Sequence, residues 1–555
     1  MVHLHEDGEA LKARGAFYTP PEIGEFIADW AIRSSRDRVL EPSCGDAAFL
    51  VPGAMKLKAL GAGQSDLPGQ MHGIDIHGPS VAEANGRLWA AGLGGTISEG
   101  DFFDQTPAPV FDAVIGNPPY VRYQSFSGAA RAKGLRAALA HGVRLTSLAS
   151  SWAAFTIHAS EFLKEDGRLG LVLPAELLSV NYARGVRRFL LNRFAKVRLV
   201  LFERLLFPGV LEEVVLLLAE GRGTAQSFEV FSARDATSLS TIDTTSWRDF
   251  VPLEDEKWTP ALLPDAALET YRELTSGRSF NRLLDWGDTY LGAVTGNNKF
   301  FCLTNRDVMR LGLGDEDVVK VSPPGARHLL GLEFTKSAWL HLSRDESRCY
   351  LFSPRGPAPS DAARAYIQAG FDDGVHTAYK CRVRTPWWRV PLVSRPDLLF
   401  AYMNHDRPRL TTNSAGVHIL NSVYGIGLRP ELRRLGTVGL PIACLNTLTL
   451  LGSEVVGRSY GGGLLKHEPK EADLLPVPDS GLLQSALPEL KLIEPQLGSA
   501  LRSNRLLAAV ELVDAVLLER HMRLSPGQLY QLRQAREALF RRRITRGKGD
   551  RGKGR

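Results

Sequence analysis

The segment Arg38–Leu50 has the sequence RVLEPSCGDAAFL, in which a short apolar run meets a turn of small residues and the start of a helical pattern. Arg38–Leu40 is predicted to be a buried strand, Glu41–Asp46 a turn, and the residues through Leu60 a helix. A strand that passes through a tight turn into a helix is the unit of a doubly wound parallel sheet. The segment therefore predicts an α/β fold.

The same unit recurs through residue 245. Further strands are predicted at Gln70–Ile76, Thr96–Ser98, Val110–Ile115, Arg168–Leu173, Lys196–Phe202 and Glu213–Glu220. Further helices are predicted from Pro20-Pro21 onward and at Val81–Ala90, Ser147–Lys164 and Leu177–Phe194. Ligands of such sheets bind at the carboxyl ends of the strands, so the residues that follow each strand are the candidates for a functional site.

The rest of the chain has a different organisation. Residues 246–500 lack regular strand–helix alternation and contain many Pro and Gly breaks, which favours an α+β region. Residues 501–543 carry two helical patterns, and residues 544–555 form a basic end that we expect to be disordered. We therefore predict a first domain to residue 245, a second to residue 500, a helical pair and a tail.

Composition and charge exclude several classes of protein. Of the 555 residues, 44% are hydrophobic and 23% are charged, which is ordinary globular usage. The five Cys residues are scattered, so neither a disulfide scaffold nor a zinc ribbon is expected. The net charge is +6, and Arg541–Arg555 alone contribute +7, so the tail carries the whole excess. Such a tail is attracted to polyanions such as DNA, or it merely improves solubility.

No membrane span or signal peptide is expected, because the apolar runs are short and Met1–Gly15 is polar. The scattered cysteines indicate a reducing compartment, so we expect a cytoplasmic protein. The absence of a Walker motif leaves nucleotide triphosphate chemistry without support.

Acidic residues lie at the end of the second predicted strand and after the third. Asp75 is placed to accept hydrogen bonds from two ribose hydroxyls, although a solvated strand-end carboxylate explains it equally well. Asp101 is placed to accept from an exocyclic amine, and Phe102 to stack on a purine. A turn with two core aromatic residues is the alternative for Asp101–Phe103.

The sharpest signal is Asn117-Pro118-Pro119-Tyr120, which follows the fourth strand. Two prolines fix the backbone and remove two N–H donors, so this loop presents acceptors: the Asn117 side-chain oxygen and the Pro118 carbonyl. A planar NH₂ group lying on the ring of Tyr120 would donate to both. The alternative is a proline-rich turn with a buried Tyr.

These motifs, in this order, resemble a known family. Val39–Gly45, Gly73–Asp75, Gly100–Phe103 and Phe111–Tyr120, preceded by Tyr18–Pro21, are similar to the gamma-class DNA adenine-N6 methyltransferases of restriction–modification systems, the TaqI and Eco57I type. Looser similarity continues through Val294–Asn298, Tyr379–Lys380, Pro386–Trp388 and Gly463–Pro469. The resemblance implies a class I S-adenosylmethionine-dependent methyltransferase fold with a C-terminal α+β target-recognition domain.

The resemblance also implies roles for individual residues. It assigns to the cofactor S-adenosylmethionine the residues Thr19, Pro20, Glu41, Ser43, Cys44, Asp75, Ile76, Asp101 and Phe102. It assigns to a flipped-out adenine the residues Asn117, Pro118, Pro119, Tyr120 and Phe207. An ordinary core role for Phe207 is as plausible. The implied activity is site-specific methylation of adenine N6 in duplex DNA, for which no metal is expected.

In the second region, Lys380, Arg384 and Trp387 are candidates for contacts with DNA phosphates and base edges. A solvated strand with buried Trp residues is the alternative. The expected partners are double-stranded DNA and a cognate restriction endonuclease. Three rival functions remain open at this point: a protein-glutamine methyltransferase, a type I modification subunit that needs a separate specificity subunit, and a DNA-binding protein without activity.

Overall fold

A computed structural model describes residues 19–206, 213–242, 247–254, 256–356 and 358–547. Compact packing divides the chain into two units, one that runs through Leu262 and one from Leu263 to Thr545. Each unit has its own sheets and its own buried core.

The first unit is built on a nine-stranded sheet. Its strands are β1 (Val39–Glu41), β2 (Met71–Asp75), β3 (Thr96–Glu99), β4 (Phe111–Gly116), β5 (Leu163–Pro174), β6 (Phe194–Phe202), β7 (Val214–Arg222), β8 (Phe228–Ala233) and β9 (Arg248–Phe250). The order across the sheet is β3-β2-β1-β4-β5-β7-β6-β8-β9. The predicted α/β, doubly wound class is confirmed.

The strands that position the site are parallel. β3, β2, β1, β4 and β5 pair in parallel with their neighbours, and β7 inserts antiparallel between β5 and β6. β1 is buried along its length, as expected for a strand covered by helices on both faces of the sheet. The carboxyl ends of these five strands consequently lie along one edge.

Along the chain, helices alternate with the strands of the first unit. The α-helices are Pro21–Ala31, Leu50–Ala59, Leu67–Gln70, Gly78–Ala90, Gly128–Ala140, Ser151–Ser160, Glu176–Ser179 and Arg184–Arg193. The 3₁₀ helices are Phe102–Asp104, Asn181–Ala183, Ala236–Thr241 and Thr259–Leu262. The prediction of one helix over 147–164 was wrong at its end, because β5 already begins at Leu163.

The predicted helix Leu177–Phe194 is also broken. Val180 has extended backbone angles, φ −90° and ψ 147°. The buried guanidinium of Arg187 donates to the carbonyls of Leu177 and Val180 at 2.8 and 3.1 Å. These side-chain bonds replace helical hydrogen bonds, so the chain turns here instead of continuing as one helix.

The first unit extends past the predicted boundary at residue 245. β9 adds a strand to the sheet beyond that point. The ring of Trp258 then packs on Phe228 with a centroid distance of 4.3 Å. Both contacts bury apolar side chains of residues 248–262 in the first core, which explains why the division falls at Leu262.

The second unit is α+β, as predicted, with antiparallel sheets. A four-stranded sheet contains, in spatial order, Gly287–Leu291, Tyr424–Leu428, Leu398–Ala401 and Arg409–Thr412. One three-stranded sheet contains Cys302–Leu303, Tyr350–Phe352 and Val318–Lys320. A second contains Met403–Asn404, Leu464–Lys466 and Arg458–Tyr460. A two-stranded sheet pairs Phe280–Arg282 with Pro476–Pro478.

The helices of the second unit vary in length. The α-helices are Asp265–Ser276, Leu283–Trp286, Asn298–Phe301, Asn305–Arg310, Lys336–Arg344, Asp361–Asp372, Tyr379–Arg382, Arg433–Ala443, Thr447–Val456, Pro469–Ala472, Ser480–Arg502, Leu506–Asp514 and Pro526–Gly547. Short 3₁₀ helices occupy Val375–Thr377 and Gly461–Gly463, and a π-helical turn Ala515–His521.

The helices of the described residues differ in length and in apolar content. No single helix there has the length and apolar composition to cross a bilayer. The helices Arg433–Ala443 and Thr447–Val456 have that length and composition only when they are taken together, and this pair is bent by 90°.

The C-terminal helix corrects the prediction for the basic tail. It continues to Gly547, so residues 544–547 are helical, not disordered. Arg543 is buried, with its side chain only 3% exposed. Its Nε and Nη2 donate to the two carboxylate oxygens of Glu454 at 2.9 and 2.6 Å. Arg543 therefore belongs to the core of the second unit and is not available to a polyanion.

We expect Arg543→Ala to destabilise the second unit by about 3–5 kcal/mol, because it leaves the Glu454 carboxylate buried without its partner. Arg541→Ala is the matched control: Arg541 is 75% exposed and pairs with Glu537 on the surface of the same helix. The control should change stability by less than about 1 kcal/mol. Chemical denaturation measures both, and equal effects would contradict the structural role of Arg543.

Candidate active site

The turn after β1 is tied to the end of β2. The Cys44 N–H donates to the Ile74 carbonyl at 3.0 Å, and the Gly45 N–H to Asp75 Oδ2 at 2.9 Å. Gly45 has φ +48°, a conformation that favours glycine, and no atom lies within 4 Å of where its Cβ would stand. A ligand can therefore approach the backbone of this turn closely. Cys44 itself is buried and half-buried Ser43 precedes it.

Asp75 ends β2 with a fixed orientation. Its Oδ1 accepts from the His77 N–H at 2.9 Å, as Oδ2 does from Gly45. Each carboxylate oxygen keeps a lone pair, so the group can accept from two hydroxyls of one sugar. The side chain of the next residue, Ile76, is 70% exposed and offers an apolar surface to a ligand held by Asp75.

Glu41 at the end of β1 is a buried carboxyl, 1% exposed. Its Oε2 has no hydrogen-bond partner among the residues that the structure describes. Burial raises the pKa of Glu41 well above its usual 4.5, the nearby carboxylates of Asp46 and Asp75 raise it further, and the N–H groups of Leu50 and Phe49 lower it. Such an acceptor suits a cationic donor, for example an ammonium group.

The turn after β3 separates the two residues that were predicted together. Asp101 Oδ1 accepts from the Phe103 N–H at 3.0 Å and Oδ2 pairs with Lys133 at 3.0 Å. The Phe102 ring is only 2% exposed and packs 4.7 Å from the His158 ring and 5.1 Å from Phe162, centroid to centroid. Phe102 thus serves the core, whereas Asp101 stays at the edge of the sheet.

The loop Asn117–Tyr120 follows β4 and is held at both ends. Asn117 Nδ2 donates to the Thr19 hydroxyl at 3.2 Å, and the Tyr120 hydroxyl to the Val172 carbonyl at 2.9 Å. The Ser151 hydroxyl donates to the Pro119 carbonyl.

Asn117 Oδ1 is buried, and no described residue donates a hydrogen bond to it. The contacts above fix the loop around an acceptor that the described residues leave unpaired. The loop therefore offers a fixed acceptor to a donor that enters from outside.

Further residues lie at this edge that the sequence analysis did not select. Glu176 follows β5, and its Oε2 accepts from the Trp152 indole N–H and from the Tyr182 hydroxyl. Burial and the Glu176 carboxylate raise the pKa of Tyr182. Ser151 and Lys133 were missed as well, because they contact the predicted residues only through the folded chain. The position of Glu176 three residues after the predicted strand Arg168–Leu173 was the signal that could have found it.

The candidates outside this edge have other surroundings. Phe207 lies outside the described residues. In the second unit Lys380 is exposed, whereas Arg384 donates to the Thr295 carbonyl at 2.8 Å and half-buried Trp387 packs against Phe300. Arg384 and Trp387 therefore hold the fold together at this place. No group of three or more His, Cys, Asp or Glu side chains in the described parts of the chain is arranged to bind a metal.

Two family models match the chain in succession. The N-6 DNA Methylase model matches residues 6–240, and that of the C-terminal domain of the type II methyltransferase M.Eco57I matches residues 255–518. The chain is 25% identical over 490 residues to the type II methyltransferase M.XamI of Xanthomonas campestris pv. amaranthicola, covering 85% of this chain and 86% of that protein.

Residues 6–240 belong to the N-6 DNA methylase family.

This family member is a DNA modification methyltransferase, and the predicted family is confirmed. A second relative, the type II methyltransferase M.AccI of Acinetobacter calcoaceticus, is 21% identical over 485 residues and covers 86% of this chain and 87% of its own. The structure of the type IIL restriction-modification enzyme MmeI in complex with DNA has the same fold: TM-score 0.58, 12% identity, 92% of this chain and 73% of that chain covered.

The residues at the sheet edge fit the cofactor of such methyltransferases. The unpaired Glu41 oxygen suits the cationic methionine end, the open Gly45 turn allows close approach, and Asp75 suits the ribose. These are the residues that would hold S-adenosylmethionine.

The raised pKa of Glu41 predicts a pH dependence of stability. The folded protein holds a proton that the unfolded chain releases above about pH 4.5, so this group contributes stability that is lost as pH rises through the folded pKa. Glu41→Gln removes the dependence. The free energy of unfolding of the Glu41→Gln variant, relative to that of wild type, should therefore increase as pH rises, by at most about 1.4 kcal/mol per pH unit.

Urea denaturation of the cofactor-free protein from acidic to alkaline pH measures this difference. Glu25→Gln, at an exposed carboxyl on helix Pro21–Ala31, is the control and should follow wild type at every pH. A Glu41→Gln difference that does not vary with pH would show that folding leaves the pKa of Glu41 unshifted, and would contradict the raised pKa.

Proposed function

We propose that this methyltransferase transfers the methyl group of S-adenosylmethionine to N6 of an adenine that has left the DNA duplex. The observation that carries the proposal is the buried, unpaired Asn117 Oδ1 in a loop that has no N–H at two positions. A site made of acceptors recognises an amino group and not a carbonyl or a methyl carbon.

The proposed chemistry follows from two acceptors that act on one amino group. The lone pair of adenine N6 is delocalised into the ring, which makes the amine a poor nucleophile. Asn117 Oδ1 and the Pro118 carbonyl accept the two N6 protons, and this favours a tetrahedral nitrogen whose lone pair is free. The ring of Tyr120 supports the face of the base.

When bound, S-adenosylmethionine would supply an activated methyl group on its sulfonium: the carbon–sulfur bond would break as the bond to N6 forms, S-adenosylhomocysteine would leave, and N6 would give up one proton to solvent. Glu41, Asp75 and Asp101 bind its polar ends, Asn117 orients the amine, and the reaction needs alignment above all. Effective molarities of roughly 10⁵ M or more make such alignment a sufficient source of rate. A stacked base cannot reach the loop, so the adenine must rotate out of the helix.

The two units take separate parts in this proposal. The first unit binds the cofactor and carries out the transfer, and the second unit, which matches the M.Eco57I C-terminal domain, selects the DNA sequence. The protein then acts in the cytoplasm on the host's double-stranded DNA, and its biological partner is an endonuclease that cuts the same site when unmethylated.

We expect Asn117→Ala to lower the rate of methyl transfer by roughly 10² to 10³, the usual loss when one preorganised hydrogen-bonding group is removed. Cofactor affinity should change little, because Asn117 is assigned to the base. Asn85→Ala, at an exposed position of helix Gly78–Ala90, is the control. The measurement combines single-turnover kinetics on duplex DNA amplified in vitro, which carries no methyl groups, with calorimetric cofactor binding.

Nucleoside analysis of the product tests the activity itself. Wild type, purified alone, should convert adenine to N6-methyladenine in a single sequence context. Methyl label in protein instead of DNA would favour the protein-glutamine methyltransferase. Label in cytosine would contradict adenine as the target, and transfer that needs an added subunit would favour the type I alternative.

A further inference from the structure

A stretch of the second unit is rich in cations. Between Asp373 and Asp397 the chain carries five Lys or Arg residues and no Asp or Glu. Among the described residues, no carboxylate pairs with the exposed Lys380, Arg382 or Arg389. The surface formed by Tyr379–Arg389 is therefore locally positive.

The inner side of this surface is fixed. Cys381 is fully buried, and Arg384 donates to the carbonyls of Val294 and Thr295. Gly296, with φ +86°, allows close approach, because a Cβ there would lie 2.8 Å from the Lys380 Cβ. Trp387 closes the contact with its ring centroid 5.6 Å from that of Phe300.

The outer side presents apolar groups among the cations. Tyr379 is 67% exposed and Val383, one helical turn later, is 61% exposed. Lys380 Nζ lies 5.6 Å from the centre of the Tyr379 ring, and the Arg389 guanidinium 5.3 Å from that of Trp388. An exposed aromatic and aliphatic pair in a cationic rim offers a surface on which a base can pack, with cations beside it that neutralise phosphates.

We propose that Tyr379–Arg389 is a rigid DNA-contacting surface, in which Lys380, Arg382 and Arg389 neutralise phosphates and Tyr379 with Val383 packs against the bases. The inference rests on the proposed function and adds the surface that grips the duplex. Charge complementarity selects the occupant, because a duplex is the polyanion that this enzyme meets. Arg384 and Trp387 are positioning residues: they act through the backbone that carries Tyr379.

The charge part of the proposal is tested by salt dependence. The affinity of the full-length triple variant Lys380→Ala, Arg382→Ala, Arg389→Ala for a fluorescent mixed-sequence duplex is measured between roughly 50 and 200 mM salt. Its slope of log affinity against log salt should fall in magnitude by about 2.7, at about 0.9 for each lost phosphate contact. The charge-matched control removes three exposed cations of the C-terminal helices, Lys491, Arg502 and Arg520, and should keep the wild-type slope.

The apolar part is tested with single substitutions. Tyr379→Ala should weaken binding by about tenfold or more, the loss typical of one base–aromatic contact, whereas Tyr379→Phe should bind as wild type. Tyr530→Ala, which removes another exposed tyrosine of the second unit, is the control and should have no effect. Because these side chains are exposed, none of the variants should change the unfolding transition.

The results separate this inference from the proposed function. Methylation of the same DNA by wild type, with unchanged slope and affinity in the Tyr379–Arg389 variants, overturns the inference and leaves the function intact. Wild type that methylates no DNA overturns the function itself. A loss in the charge-matched control equal to that of the triple variant shows a diffuse charge effect and also overturns the inference.

Discussion

The active site depends on one constraint: the buried Oδ1 of Asn117 receives no hydrogen bond from the part of the chain that the structure describes. An unsatisfied acceptor of this kind costs about 1–3 kcal/mol, so a flexible loop would rearrange to pair it. The loop after β4 does not, because Thr19 holds the Asn117 amide, the Val172 carbonyl holds the Tyr120 hydroxyl, and Ser151 holds the Pro119 carbonyl. The free enzyme therefore carries the free-energy cost of this unpaired oxygen, and a hydrogen bond from an entering amine offsets that cost.

The sequence was sufficient for the residues that end parallel strands. Asp75, Asp101 and Asn117 each follow a strand, and the topology brings the ends of parallel strands to one edge whatever the loops between them do. The class of fold follows from the same alternation. For this reason the shared position of these three residues at one edge of the sheet was predictable without knowledge of any contact.

Residues whose role depends on which way a side chain faces were not predictable in this way. Phe102 follows a strand as Asp101 does, yet its ring lies in the core. Arg384 and Trp387 bond and pack inward while their neighbour Tyr379 faces outward, a difference that no spacing rule for a short helix indicates. Arg543 belongs to a basic run in the sequence, but its carboxylate partner lies 89 residues earlier in the chain.

The central claim concerns the contact between Asn117 Oδ1 and the amino group of the target base. A crystal structure of the enzyme with S-adenosylhomocysteine and a duplex containing its recognition site measures this contact directly. The account predicts an extruded adenine on the Tyr120 ring, with N6 about 2.7–3.2 Å from Asn117 Oδ1. An Asn117 oxygen paired within the protein, with the bound base elsewhere, would contradict it.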